Sequence, residues 1–188
     1  MTLCMAYTDG DTTWIGADEA QANDYGFRWP SVAQKWQPMH GWMIAHAGDA
    51  SIALAVEDVS AAISAEDAAS AQKVVEAIYA AYLARGFKPR DHAGETPYYG
   101  SPLLLAKAGA VYYGSPGNMA VATPVGRWNC IGCADEIAYG ALDALTAVRA
   151  LPLNAMRVAI DIAHRYYPII NGFWSAVLTQ QETSEARH

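Results

Sequence analysis

Charged side chains are scarce in this sequence: Asp, Glu, Lys and Arg make up 16% of its 188 residues, against 53% hydrophobic residues. This balance excludes an intrinsically disordered chain, because disorder needs low hydrophobicity and high net charge. The apolar surplus predicts a large buried area, inside one domain or between copies of the chain. The length suits a single domain over residues 1–188, with a frayed polar tail from Thr179.

Basic residues and long apolar runs are also lacking. Twelve Lys and Arg stand against nineteen Asp and Glu, which leaves a net charge of −7. No basic stripe is present, so the charge argues against a nucleic-acid partner. No apolar run is long enough to cross a membrane, and the N-terminus does not resemble a signal peptide. We therefore expect a cytoplasmic protein without a membrane partner.

Cysteine is too rare for a disulfide framework, since only Cys4, Cys130 and Cys133 are present. The Cys130-x-x-Cys133 spacing leaves two alternatives open, a redox pair and half of a zinc site. No second cysteine pair accompanies it, and the five histidines show no ligand spacing. We expect a strand end that enters a helix, with no metal and no cofactor. Neither a Gly-x-Ser-x-Gly motif nor a phosphate-binding glycine loop is present.

Predicted strands and helices occur in blocks. Asp9-Gly10-Asp11 between two apolar runs predicts a hairpin. The strands are predicted at Leu3–Tyr7, Thr12–Ala17, Val32–Trp36, Trp42–Ala47, Leu103–Ala106, Ala110–Tyr113, Met119–Ala122, Arg127–Ile131 and Phe173–Leu178. Helices are predicted at Ala50–Ser64, Glu66–Arg85, Ala134–Ala150 and Leu153–Tyr166, and loops at Asp18–Pro30 and Lys88–Pro102. The order implies α+β layers, with two sheets packed face to face and helices outside each.

The residue after the initiator methionine is Thr2. Removal of Met1 would leave a threonine whose hydroxyl is a nucleophile and whose free α-amine is a base. An α-amine has a reference pKa of about 7.7–8.0, close to the value that suits a general base. The chemistry also needs a cation near the amine and a carboxylate that holds the cation. Asp18 and Lys35 are the candidates, because the first two strands bring Asp18 back towards Thr2.

Several short segments occur in the order found in proteasome β-subunits. They are Thr2 with the hairpin, Gly16-Ala17-Asp18, Val32-Ala33-Gln34-Lys35, Ala47-Gly48-Asp49, Ile131–Ala141 and Ala163–Gly172. The chain most resembles the small bacterial and phage proteasome-like members of the N-terminal-nucleophile (Ntn) hydrolases. The resemblance covers nearly the whole chain and implies a four-layer α-β-β-α sandwich.

The resemblance implies a role for each matched residue. Thr2 resembles the nucleophile and base, and Lys35 the cation that lowers the pKa of the amine. Asp18 resembles the carboxylate partner of that cation. Gly48 resembles the residue whose backbone N–H stabilises the oxyanion. The family's first substrate pocket would lie near Met39, Trp42, His46 and Ala50.

Two positions depart from the family pattern. Cys133 stands where a serine usually relays protons near the amine, and Tyr167 stands where an aspartate usually orients that serine. Cysteine is a weak substitute for the serine, whereas tyrosine cannot replace an ionised carboxylate. Cys133 also lies at a predicted helix start, where a thiolate would be stabilised, so it is a rival nucleophile.

Two functions therefore stay open. One is a threonine-type peptidase or amidase that acts on peptides or unfolded proteins. The other is a catalytically silent scaffold or assembly protein. In either case we expect a homo-oligomer with the helices Ala50–Ser64 and Ala134–Ala150 as contact elements. Nothing in the sequence indicates an ATPase partner.

Overall fold

The computed structural model describes residues 2–22, 28–30, 35–49, 51–86, 101–115 and 119–180. The strands in these residues are β1 (Leu3–Thr8), β2 (Thr12–Ala17), β3 (Ala20–Ala22), β4 (Arg28–Pro30), β5 (Trp36–Met39), β6 (Trp42–His46), β7 (Leu103–Lys107), β8 (Ala110–Ser115), β9 (Met119–Ala122), β10 (Trp128–Gly132) and β11 (Trp174–Thr179). The helices are α1 (Ser51–Ala62), α2 (Ala65–Ala68), α3 (Ala71–Ala84), α4 (Asp135–Ala147) and α5 (Pro152–Tyr166). No helix in the described part of the chain is long and apolar enough to cross a membrane.

The N-terminal hairpin forms as expected from its turn residues. β1 and β2 are antiparallel, and Thr8 lies opposite Thr13. The Asp9 carboxylate closes the turn by accepting the N–H groups of Asp11 at 3.0 Å and Thr12 at 2.8 Å. Gly10 adopts φ +105°, a left-handed conformation that glycine reaches without steric cost. The hairpin predicted from Asp9-Gly10-Asp11 is therefore confirmed.

Two larger antiparallel sheets organise the chain. One has the strand order β10-β1-β2-β11, and the other has the order β5-β6-β7-β8-β9. β3 and β4 form a separate two-stranded sheet. Successive side chains of a strand point to opposite faces, so each strand of the larger sheets can contribute to two clusters.

Three hydrophobic clusters connect these elements. The first joins α1 and α3 to the inner strands of the five-stranded sheet, for example through Ile78 and Leu105. The second joins α4 and α5 to β1 and β10, for example through Met5 and Met156. The third contains residues of both larger sheets, namely Cys4, Ala6, Ile15, Ala17, Ala45, Ala47, Leu104, Ala106, Val111 and Ile131. The chain is thus a mixed helix and sheet fold.

One expectation about a loop is wrong. The expected loop Asp18–Pro30 contains β3 and β4, which are three residues long each and too short to show a period in the sequence. Of the expected strand Val32–Trp36, residues 32–34 lie outside the described part, Lys35 lies in a bend, and Trp36 is the first residue of β5. β5 then runs through Pro38, which an edge strand tolerates because its outer side needs no donor.

One expected helix is divided into two. In place of Glu66–Arg85, α2 ends at Ala68 and α3 begins at Ala71. Serine side chains begin both helices: Ser64 Oγ accepts the N–H of Asp67, and Ser70 Oγ accepts that of Lys73. Ser70 therefore starts a new helix where the apolar spacing alone predicted continuity.

The ends of two other predicted segments also differ. Thr179 was expected in the frayed tail, but it belongs to β11 and lies opposite Thr12. The remainder of that tail, residues 181–188, lies outside the described part. Most of the expected loop Lys88–Pro102 also lies outside the described part, and only its residues Ser101 and Pro102 are described.

Candidate active site

Thr2 directly precedes β1 and is 9% exposed. β1 is paired on both sides: Leu3 lies opposite Gly132 of β10, and Cys4 lies opposite Ala17 of β2. The residues that follow β2 and β10 therefore meet next to Thr2. The Thr2 carbonyl oxygen accepts the N–H of Cys133 at 3.0 Å.

Asp18 connects the start of β1 to a cation. Its main-chain N–H donates to the Leu3 carbonyl at 3.0 Å, and its Oδ1 accepts the Leu3 N–H at 2.8 Å. Its Oδ2 lies 2.8 Å from Lys35 Nζ. The side chains of Asp18 and Lys35 are 0% and 4% exposed. The predicted ion pair is present, and its carboxylate binds the residue directly after Thr2.

Burial is the main influence on the Asp18 carboxyl. It raises the pKa of Asp18, because a buried carboxylate loses its hydration. The Lys35 ammonium and the Leu3 N–H stabilise the ionised form and act in the opposite direction. Loss of Lys35 would therefore leave a buried carboxylate with one main-chain donor and no countercharge.

Two contacts, one of Lys35 itself and one of the residue after it, fix the position of Lys35. Its carbonyl oxygen accepts the N–H of His46 at 3.0 Å, which ties it to the end of β6. The next residue, Trp36, stacks on Trp174 with ring centroids 3.5 Å apart and planes 12° apart. Trp174 lies opposite Ala17, the residue before Asp18. The stack thus joins β5 to β11 beside the ion pair.

Gly132 is a site residue that the sequence did not single out. It adopts φ +123°, and a Cβ at this position would overlap the Thr2 carbonyl oxygen. Only glycine allows β10 to pass this close to the nucleophile candidate. The available signal was a glycine at a strand end directly before Cys133.

Cys133 adjoins Thr2, but the environment does not favour a thiolate. Burial raises the pKa of the half-buried Cys133 thiol, and the main chain of Thr2 lowers it only in part. α4 begins later, at Asp135, and its first turn carries two acidic residues. The expectation that a helix start stabilises a Cys133 thiolate is therefore wrong.

The other cysteines are buried and free. Burial raises the pKa of the Cys4 and Cys130 thiols well above the ordinary value. Across the described residues, no group of three or more His, Cys, Asp or Glu side chains is placed to hold a metal ion. The Cys130-x-x-Cys133 run thus leads from a strand to a helix, with one thiol in the core.

Gly48 lies beyond the end of β6, with φ +97°. Its segment reaches the site through His46, whose N–H binds the Lys35 carbonyl and whose carbonyl accepts the Cys4 thiol at 3.5 Å. The described residues contain no acceptor for the Gly48 N–H. The oxyanion role of Gly48 stays a prediction, and its N–H is free of other acceptors in the described residues.

Tyr167 follows α5, and its side chain is exposed. The turn after it approaches the site, because the Asn171 carbonyl accepts the N–H of Glu19 at 2.9 Å. In the contacts that the structure describes, this turn contacts the site through its main chain. Tyr167 supplies no carboxylate there.

The pocket expectation is wrong for two residues. Met39 and Trp42 are 1% and 3% exposed and belong to the cluster between α1, α3 and the sheet. Trp42 Nε1 donates to the Ala68 carbonyl at 2.7 Å, which holds the ring towards α2. His46 is also buried, and Ala50 lies outside the described residues.

No protein-family model matches this chain, and neither does any curated protein sequence. Solved structures do match. The crystal structure of eukaryotic HslV from Trypanosoma brucei has a TM-score of 0.65 and 18% identity, with 95% of this chain and 99% of that chain covered.

BPH from Thiobacillus denitrificans is also similar, with a TM-score of 0.74 and 17% identity over 97% of this chain and 100% of that chain. BPH in complex with epoxomicin has a TM-score of 0.70 and 16% identity over 96% and 100%. The chain therefore has the fold of these HslV and BPH structures, which agrees with the proteasome-like resemblance of its sequence.

Proposed function

We propose that the chain is a threonine-type Ntn peptidase or amidase in which Thr2 acts after Met1 is removed. One observation carries this proposal: the buried Asp18–Lys35 ion pair is bound to the main chain of the residue that follows Thr2. Burying two charges is costly unless both are paired and hydrogen-bonded. A buried pair of this kind beside a nucleophile candidate is typical of a functional site.

The chemistry follows from the residues around Thr2. The α-amine takes the proton of the Thr2 hydroxyl while the hydroxyl oxygen attacks the carbonyl carbon of an amide. The Lys35 ammonium disfavours a second positive charge on the amine and so lowers its pKa. The Gly48 N–H donates to the negatively charged oxygen of the tetrahedral intermediate.

The cycle closes in two steps. The C–N bond of the substrate breaks, and the amine returns its proton to the leaving nitrogen. A water molecule then hydrolyses the ester on Thr2 and restores the hydroxyl. The neutral Cys133 thiol is a weak donor beside Thr2, in place of the family's serine.

We infer peptides or unfolded protein segments as the substrate class. The support is at the level of the fold, since one similar structure holds epoxomicin. That compound is therefore the binding probe we would use for this chain. We also infer the layer order α-β-β-α, because the three hydrophobic clusters lie between helices and sheet, between the two sheets, and between sheet and helices.

A homo-oligomer in the cytoplasm is part of the same proposal. Large apolar side chains are exposed near the expected contact helices, including Leu54 at 42% and Val148 at 73%. Exposed apolar side chains that form a patch mark contact surfaces. Leu54→Glu with Val148→Glu should lower the mass measured by light scattering, and a wild-type monomer would contradict the expected oligomer.

The test of the function is processing together with activity. Intact mass and N-terminal sequencing of protein from its own cell should show that Met1 is absent. The processed protein should hydrolyse fluorogenic peptide amides and release their fluorophore. Thr2→Ser should retain this activity, whereas Thr2→Ala should have none. Retention of Met1 with no hydrolysis supports the silent scaffold or assembly protein, which the departures at Cys133 and Tyr167 favour.

A further inference from the structure

We propose that Ser101 and Tyr82 are positioning residues, which hold Asp49 and thereby aim the Gly48 N–H at the substrate oxygen. The inference rests on the proposed function and extends it to a part of the molecule that sequence reasoning did not connect with Thr2. It assigns a role to two side chains from separate elements, α3 and the segment before β7.

The main chain around Gly48 is held on both sides. The Ala47 N–H donates to the Pro102 carbonyl at 3.1 Å, and the Asp49 N–H donates to Ser101 Oγ at 2.9 Å. The N–H between them, that of Gly48, has no acceptor among the described residues. Two neighbouring contacts thus restrain the orientation of one available donor, which is the preorganisation that an oxyanion site needs.

Asp49 is the residue through which the restraint acts. Its Oδ1 accepts the N–H of Ser51 at 2.9 Å, at the start of α1. Its Oδ2 accepts the Tyr82 hydroxyl of α3 at 3.2 Å. With the Ser101 contact, its main chain and both carboxylate oxygens are engaged. Rotation of the segment would break several hydrogen bonds together.

Ser101 is itself firmly placed. It is 0% exposed, and its carbonyl accepts the hydroxyl of the fully buried Tyr79 at 2.8 Å. Pro102, which follows it, binds the Ala47 N–H and leads into β7. The Ser101 hydroxyl therefore presents an acceptor to Asp49 from a buried, hydrogen-bonded residue.

This arrangement predicts a specific kinetic effect. Negative charge develops on the substrate oxygen only in the transition state, so a misaimed donor lowers kcat and leaves KM unchanged. Removal of a whole oxyanion donor lowers kcat roughly 100-fold to 1,000-fold. Loss of one restraint leaves the donor present, so we expect about a tenfold loss.

The experiment uses the full-length processed protein and a fluorogenic peptide amide. Ser101→Ala and Tyr82→Phe each remove one hydroxyl from the Asp49 contacts. Ser51→Ala is the matched control, because it lies in the same segment and its hydroxyl has no hydrogen-bond partner in the described structure. We expect kcat to fall about tenfold in the first two variants, with KM unchanged, and both constants to be unchanged in the control.

The outcomes separate the inference from the function on which it rests. If the wild type hydrolyses peptides and both variants keep the kcat of the control, the positioning role is wrong and the proposed function survives. A rise in KM with an unchanged kcat would also overturn the positioning role. If the processed wild type hydrolyses nothing, the proposed function fails and the inference fails with it. Should Ser101→Ala not fold, Tyr82→Phe decides alone.

Discussion

Lys35 Nζ lies 2.8 Å from Asp18 Oδ2, and neither side chain is accessible to bulk water. The same carboxylate accepts the N–H of Leu3 through its other oxygen. The pair therefore joins the segment after β2 to the segment before β5 and to the residue next to Thr2. Its integrity should matter for stability and for turnover.

Removal of the cation should destabilise the protein strongly. Lys35→Met leaves Asp18 buried without its countercharge, and breaking one partner of a buried pair costs about 3–5 kcal/mol. Urea unfolding followed by circular dichroism measures the loss. Lys73→Met is the control, because Lys73 pairs with Asp67 at the surface, with the two side chains 55% and 48% exposed. In Lys73→Met the free energy of unfolding should fall by less than about 1 kcal/mol. Equal losses of stability in the two variants would contradict the burial argument.

The Asp18 carboxyl should titrate above its ordinary value of 3.8. Burial favours its neutral form, so the folded protein holds this proton more tightly than the unfolded chain. The contribution of Asp18 to stability is then fully present below pH 3.8 and is lost as the pH rises through the raised pKa. The contribution of the Asp18–Lys35 ion pair to stability has the opposite pH dependence. It grows as the pH rises, because the pair forms only as the carboxyl ionises.

Carbon-13 NMR of labelled Asp carboxyls measures this titration directly. The Asp18 signal, assigned by its loss in Asp18→Asn, should have its midpoint above 3.8. Lys35→Met should move the midpoint further up, provided the variant stays folded at the pH examined. A midpoint below 3.8 would show that Lys35 and the Leu3 N–H outweigh desolvation.

Gly132→Ala should damage both the fold and the site. The new methyl group would overlap the Thr2 carbonyl oxygen, and φ +123° is strained for any other residue. Backbone strain alone costs about 1–3 kcal/mol, and the overlap adds to it. Thermal unfolding and peptide hydrolysis should both be impaired.

Gly140→Ala provides the opposite case. Gly140 lies in α4 with nothing within 4 Å of the added Cβ, so alanine should stabilise the helix by about 0.5–1 kcal/mol. Hydrolysis should be unchanged in this variant. If the two glycine variants behave alike, the close approach of β10 to Thr2 is not the reason for Gly132.

The sequence predicted those parts of the fold that depend on local patterns. The Asp9-Gly10-Asp11 turn determined the first hairpin, and β1 and β2 then placed Asp18 beside the residue after Thr2. The Asp18–Lys35 pair needed the family resemblance as well, because Lys35 lies in a bend directly before β5, a strand of the other larger sheet. It was not readable from spacing alone.

What the sequence missed depends on contacts between distant segments. Gly132 is required by an approach of β10 to Thr2, and a single glycine in a strand does not reveal what it faces. Met39 and Trp42 were expected near a pocket, but side-chain alternation and the helices above them bury both. The contact of Ser101 with Asp49 joins residues 52 positions apart, with no motif in either segment.

The last prediction separates two nucleophiles that lie next to each other. Thr2 can supply both nucleophile and base once its nitrogen is a free amine, whereas Cys133 would need to ionise. Burial raises the pKa of the Cys133 thiol, so at neutral pH the thiolate is a small fraction. Cys133→Ser should therefore preserve hydrolysis or raise it, since a hydroxyl is a better donor than a thiol. Thr2→Ala should abolish hydrolysis while the circular dichroism spectrum and the mass in solution stay unchanged. The measurement is the initial rate of hydrolysis of one peptide amide by variants whose N-termini have been sequenced. These rates show whether Thr2 or Cys133 is the nucleophile. Full activity in Thr2→Ala together with loss in Cys133→Ser would assign the chemistry to the thiol and overturn the threonine mechanism.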